Sequence, residues 1–250
     1  MSIDRSATTP FLEAHQPAGA AESDGHAVPA AIRLQILATE HWSLLATRSL
    51  AWNEVFARAG MYLSLVSGSI VALALVGDGS RFGDAVLVFG IVILPVVLFV
   101  GVTTFLRLGV ANYLDARCVI GMNRIRAGYL EMAPGMDRFF VSGVTDDPAG
   151  IERTMAVLPG SSPIIHLLAA TPSLVSVVNS VIAGAIGGFV VLLARGAEPV
   201  AVVSAAVIFL LAFLAHALYG RRRMAELRRA HDVRHPGDRS TSAHAGPGAV

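Results

Sequence analysis

The sequence predicts an all-α polytopic membrane protein, built from two transmembrane helical hairpins with cytoplasmic helical extensions. Three observations predict it. Of 250 residues, 54% are apolar and only 15% are charged, with a mean hydropathy of +0.62; an ordinary soluble domain is about 25% charged. Four runs lack Asp, Glu and Arg: 59–77, 85–106, 173–194 and 199–219. Each is close to the ~20 helical residues that cross a hydrocarbon core of about 30 Å. Finally, all 19 basic residues are arginine, and 17 of them lie on the side that two hairpins give to both termini. Only Arg81 and Arg195 fall in the hairpin turns. The positive-inside rule therefore places both termini in the cytoplasm of a bacterial inner membrane.

The elements follow in order. Residues 1–30 are rich in Ala, Thr, Pro, Gly and His without periodicity, and read as a disordered tail. They hold no apolar core of signal-peptide length, so the first span is expected to act as an uncleaved signal. Residues 31–58 read as a cytoplasmic helix: Leu34, Leu37, His41, Leu44, Leu45, Arg48, Trp52, Val55 and Phe56 recur at helical steps. Glu54 and Arg58 are set for an i,i+4 pair. Trp42 and Trp52 suit either the membrane interface or the core of a cytoplasmic helix pair, the second reading being preferred.

Residues 59–106 form the first hairpin around the polar turn 78–84. Pro95 is expected to kink its second helix. Residues 107–172 form a cytoplasmic helical segment. Helical spacing continues to Met132, and Pro134-Gly135 ends it. With 31–58 it should make an antiparallel pair roughly 35–40 Å long. Phe139-Phe140-Val141 is either a short strand or an apolar contact. Asp147-Pro148 reads as an N-cap and first-turn proline, opening a short helix to about Val157. Ser162-Pro163 repeats that signal, and Pro172 is expected to break the helix before the third span. Residues 173–219 form the second hairpin. Residues 220–250 are a basic and then disordered tail.

Small residues recur every four positions on the first helix of each hairpin: Gly60, Ser64, Gly68 and Ala72, then Ser176, Ser180, Gly184 and Gly188. Such faces let helix backbones approach closely, within the chain or in a homo-oligomer.

Candidate chemistry is sparse. Asp146, Asp147 and Glu152 form the one tight acidic cluster, with His166 downstream. A catalytic or hard-metal site needs converging ligands in a perturbing environment. Helix capping already accounts for Asp147, and the charge at a helix N-terminus for its neighbours. No nucleotide-, zinc- or serine-hydrolase motif is present, and without lysine no Schiff base can form. The scattered histidines are weak evidence for metal. Neither catalytic nor cofactor nor metal residues are therefore assigned, and a net charge of +1 gives no field for nucleic acid. The single cysteine, Cys118, is expected to be buried and structural. In the spans, Asn179 and His216 are the outstanding polar residues and are expected to serve packing; no span carries Asp, Glu or Arg, which argues against a proton-driven pump.

Residues 38–48 (ATEHWSLLATR), 93–101 (ILPVVLFVG), 121–124 (GMNR) and 129–134 (YLEMAP) resemble a family of uncharacterised actinobacterial four-span integral membrane proteins. The likeness runs from Leu34 to Asp147, and the Ala-, Gly- and Val-rich, lysine-free composition agrees with it. It implies a family and no assigned activity. By layout alone, the hairpins are also similar to two-span effector domains of bacterial nucleotide-signalling systems. The expectation is a non-enzymatic oligomeric scaffold, sensor or channel-like element whose partners are the bilayer and a second copy. The alternative is a membrane-associated enzyme using Asp146, Asp147 and His166.

Overall fold

The computed structural model describes residues 28–79, 83–155 and 171–237. Among the described residues five helices carry the fold: α1 (Ala30–Gly79), α2 (Asp84–Met132), α3 (Pro148–Thr154), α4 (Thr171–Leu193) and α5 (Glu198–Ala230). Among the described residues there is no strand. Four of these helices, all but α3, are long and apolar enough to cross a membrane. The chain is an all-α polytopic membrane protein. The calls on the N-terminal tail, the helix from Pro163, His166 and the end of the C-terminal tail lie wholly or largely outside the described residues.

The hydropathy boundaries at residues 58 and 106 are not backbone boundaries. α1 has 50 residues and α2 has 49, each one uninterrupted helix. At 1.5 Å per residue each is about 75 Å long, more than twice the hydrocarbon core. Both therefore combine a span with a membrane-distal extension. α2 continues through Pro95 as a single helix.

A heptad seam joins them. On α2 the buried residues Gly90, Leu94, Val97, Gly101, Thr104, Leu108, Ala111, Asp115, Cys118, Met122 and Ile125 alternate steps of four and three. That 3.5-residue period is the signature of left-handed coiled-coil packing. The partner face of α1 includes the buried Val55, Ala59, Tyr62 and Ser69. One seam thus crosses from the span into the extension, and the change of solvent along it alters only the outward residues.

The second hairpin packs α4 against α5, and α2 joins the two hairpins by lying along α4. Val175 and Ile182 of α4 share one apolar core with Val55, Tyr62, Leu94, Val97 and Phe105. At the turn side, Arg195 and Asp84 form an exposed ion pair of 2.6 Å that ties one hairpin turn to the other. At the opposite end α3 rests on α2 through Ile151, beside Cys118, Val119 and Met122.

Several expectations need correction. Phe139-Phe140-Val141 is not a strand: Asp137–Phe139 is a single 3₁₀ turn, and Val141 is 95% exposed. Among the described residues no neighbouring strand takes up its backbone groups. The proline-capped helix ends at Thr154, three residues before the expected end. The helix that Pro172 was expected to end lies outside the described residues; Pro172 itself stands in the first turn of α4, where no backbone donor is needed. Trp42 is 69% exposed, so of the two tryptophans only Trp52 enters the helix pair. The two small-residue stripes also part. Gly184 faces the Ala205 carbonyl and Phe209, and Ser176 and Ser180 are buried. Gly60 and Gly68 have open space beside them, and Ser64 is exposed. The α1 stripe therefore faces outward, because the heptad seam occupies a different side of that helix.

Candidate functional site

Polar groups gather at three levels. The lowest lies at the membrane-distal end. Asn123 of α2 is fully buried and sits in the heptad region of the extension. Its Nδ2 donates to the Thr145 carbonyl at 2.7 Å, and its Oδ1 accepts from Thr154 at 2.7 Å and Arg126 at 2.8 Å. This one amide fixes the 143–154 loop on α2. Gly143 and Gly150 make the fold of that loop feasible. A Cβ on either would collide with backbone of the loop itself.

The loop presents Asp146 and Asp147 to the chain that leaves α5. The Asp146 carboxylate has no exposed surface. It accepts from Arg124 Nε at 2.7 Å and from the backbone N–H groups of Arg234 and His235 at 3.0 and 2.8 Å. Its own backbone N–H donates to the His235 carbonyl, and its carbonyl accepts from His231 Nε2. Arg124 reaches further, donating to the Asp232 carbonyl. Asp147 caps α3 by accepting from Gly150 N at 2.8 Å, and its second oxygen accepts from Gly237 N at 3.1 Å. Residues 231–237 are thereby clasped against α2 and α3.

The electrostatics follow from this geometry. Burial alone would raise the Asp146 carboxyl, but the Arg234 N–H, the Arg124 guanidinium and the His235 N–H more than offset it and hold it below its ordinary value. Burial likewise opposes ionisation of Asp147, and the donors Gly150, Thr145 and Gly237 prevail, so it too is lowered. Glu152 of the same cluster is exposed and stands apart from the clasp. Among the described residues no group of three or more His, Cys, Asp or Glu is placed to hold a metal ion.

The middle level locks the register of the extensions. Asp115 occupies a heptad seam position and is 4% exposed. Arg48 of α1 approaches it at 2.5 Å, and Trp52 Nε1 donates to it at 2.8 Å. A polar seam residue with one matching partner disfavours every slipped register. Cys118, one turn on, is 1% exposed. Burial first, then the Asp115 charge, push its thiol up, against a smaller opposing pull from Arg48 and Arg117.

The upper level lies inside the spans. Tyr62 of α1 donates to Asn179 Oδ1 of α4 at 2.7 Å. Asn179 Nδ2 lies 3.3 Å from His216 Nε2 of α5, and His216 Nδ1 lies 2.7 Å from the Ala212 carbonyl. A carbonyl only accepts, so Nδ1 carries the proton and Nε2 accepts from Asn179. α2 contributes the space: a Cβ at Gly101 would strike both Asn179 and Tyr62. Phe105 of α2 meets the His216 ring edge-on at 4.6 Å. All four long helices therefore meet at one polar junction.

Sequence reasoning named Asn179 and His216 separately, and the structure joins them. It missed Tyr62, whose tyrosine identity in an apolar run was the available signal, and Asn123 and Arg124, which stood inside one of the family-like segments. Asp146 and Asp147 are brought together, but toward the chain's own backbone; His166 lies outside the described residues.

These features define the class: a polytopic, all-helical membrane protein whose buried polar groups tie its elements together. No protein-family model, curated protein or solved structure matches the chain.

Proposed function

We propose that the protein is a non-enzymatic, oligomeric scaffold of sensor type in a bacterial inner membrane, with both termini and the helical extensions in the cytoplasm. The observation that carries this reading is the clasp. The carboxylates of Asp146 and Asp147 bind the chain's own donors, which leaves a substrate or metal to compete with a complete set of internal bonds. The same contacts couple the outgoing end of the second hairpin to the extension of the first. That coupling suits a module that passes changes in the span bundle to its extensions.

The oligomeric part of the reading rests on α1. Gly60, Ser64 and Gly68 face outward in the span, and Trp42 continues that side of the helix into the extension. A second copy of α1 laid on this face would bury it. On this reading the family-like segments are structural: Arg48 and Asn123-Arg124 build the register lock and the clasp.

The test is on the purified full chain in detergent. The expected results are a mass of two or more copies by light scattering and no stoichiometric binding of Mg²⁺, Mn²⁺ or Zn²⁺. A strict monomer would remove the oligomeric reading. Divalent-metal binding lost in a well-folded Asp147→Asn variant would favour the enzyme. Orientation has its own check: a cysteine at Ser80 should react with an impermeant reagent on whole cells, and one at Ser240 should not.

A further inference from the structure

Where α5 leaves the apolar region, a small pocket of about 80 Å³ opens between α2, α5 and the start of α4. Its walls divide by chemistry. Phe105, Pro172 and Met224 are apolar, and Asn112, Tyr113, Tyr219 and Arg223 bring polar groups. Gly220 on its α5 wall has open space where a side chain would stand, and Gly109 opposite leaves the Tyr219 ring as its neighbour. Arg223 is half-exposed, with Glu226 at 3.1 Å from one guanidinium nitrogen.

The charge beside the pocket is mainly positive. Residues 219–230 contain five arginines against the single Glu226. Arg221 and Arg222 are exposed and form no ion pair among the described residues. Immediately on the span side, Phe99 and Leu106 are exposed apolar residues of α2, on the helix face that carries Gly109 and Tyr113.

We propose that this pocket is a binding site for one anionic glycerophospholipid. Its phosphate meets Arg223, with Asn112 and the tyrosine hydroxyls as further donors. Its glycerol and ester region lies against Phe105, Pro172 and Met224, and its acyl chains run along Phe99 and Leu106 of α2. The position selects a lipid over a soluble anion. The pocket stands at the junction of an apolar belt and a cationic collar, and only an amphiphile satisfies both. Basic recesses between spanning helices at this level are suited to anionic headgroups. The lipid also fills the sparse junction between α2 and α5. The Phe105 and Tyr219 rings of this wall meet at a tilt with centroids 5.8 Å apart, and Phe105 touches His216, so occupancy braces the joint between the hairpins.

The experiment uses the full chain, delipidated in a neutral detergent. It is titrated with phosphatidylglycerol, with phosphatidylcholine of the same chains, or with inorganic phosphate. Native mass spectrometry counts retained lipid, and the melting temperature reports bracing. The expected result is one retained phosphatidylglycerol per chain and a rise in melting temperature, with neither from phosphatidylcholine or phosphate. Arg223→Gln should weaken retention on the order of fivefold, from loss of one cationic contact. Arg222→Gln, with the same change of net charge, should retain the lipid nearly as the parent does. Gly220→Leu fills the pocket without touching a charge and should abolish retention, which covers the case of a poorly folded Arg223→Gln. Equal losses for Arg222→Gln and Arg223→Gln, an equal response to phosphatidylcholine, or a full response to phosphate alone would each overturn the site.

Discussion

Tyr62 and Asn179 lie 117 positions apart in the chain and share a 2.7 Å hydrogen bond that fastens the first hairpin to the second. Both are fully buried. With no water to replace either partner, Tyr62→Phe leaves the Asn179 carbonyl without its donor. The expected loss is about 1 kcal/mol, within the range measured for interhelical bonds in membranes. Asn179→Ala orphans both the Tyr62 hydroxyl and His216 Nε2, so its loss should be larger. A double-mutant cycle by detergent unfolding should return a favourable coupling between the two. A coupling of zero would reduce the contact to coincidence.

The clasp makes a second prediction, with an order among variants. Asp147→Asn keeps the oxygen that caps Gly150 but turns an amide toward Gly237, so the helix survives and the tail loosens. Asp147→Ala loses the contacts to Gly150, Thr145 and Gly237 and should cost about 1–2 kcal/mol of local stability. Asp146→Ala leaves Arg124 without its carboxylate and frees two backbone donors, which predicts the largest effect, about 2–4 kcal/mol. Hydrogen exchange should then show residues 145–154 and 231–237 opening together. The pH dependence follows from the direction of the shifts. Both carboxyls are lowered in the fold, so their stabilisation is present above the ordinary carboxylate pKa of about 4 and is lost as pH falls through their lower folded values. Tail release near neutral pH would contradict this.

How far the sequence reached is clear from particular residues. The four spans were legible because hydropathy over ~20 residues is nearly sufficient to define a membrane helix. The helix pair of the extension was legible because Leu37, Leu44, Arg48 and Val55 keep helical spacing. The junction was not legible as a unit. Tyr62, Gly101, Asn179 and His216 stand on four helices, and no local pattern encodes which faces meet. The clasp was half legible: Asp147-Pro148 announced the cap, but besides Arg124 the partners of the Asp146 carboxylate are backbone N–H groups almost ninety residues away, and backbone donors carry no sequence signal. The small-residue stripes show the same limit. A four-residue period identifies a face and leaves its partner unspecified.

That difference between stripes is the third prediction. Gly184→Leu drives a side chain into the Ala205 carbonyl and Phe209. It should lower the melting temperature of the single chain. Gly68→Leu meets open space within the chain, so it should leave that temperature within about 0.5 kcal/mol equivalent while lowering the oligomer fraction. Val190→Leu, at an exposed position of α4, is the control for added bulk. If Gly68→Leu and Val190→Leu left the same oligomer distribution, the outward stripe of α1 would have no partner.

The last prediction concerns His41, whose Nδ1 is buried without a hydrogen-bond partner among the described residues. Burial first, and the Arg126 charge second, lower its pKa below the ordinary value. The sign follows directly. The unfolded chain takes up a proton near pH 6.5 that the folded chain refuses, so stability is full above that pH and declines as pH falls toward the folded value. His41→Leu removes both the orphaned nitrogen and the titration. Leucine suits a helix-pair position beside Leu37 and Leu44, and relieving an unsatisfied buried nitrogen should add about 1 kcal/mol at neutral pH. The decisive reading is the difference between parent and variant unfolding free energies from pH 7.5 to 5, where the other histidines contribute equally to both. That difference should widen on acidification. Parallel curves would mean that Arg126 and the helix pair impose no charge penalty on His41.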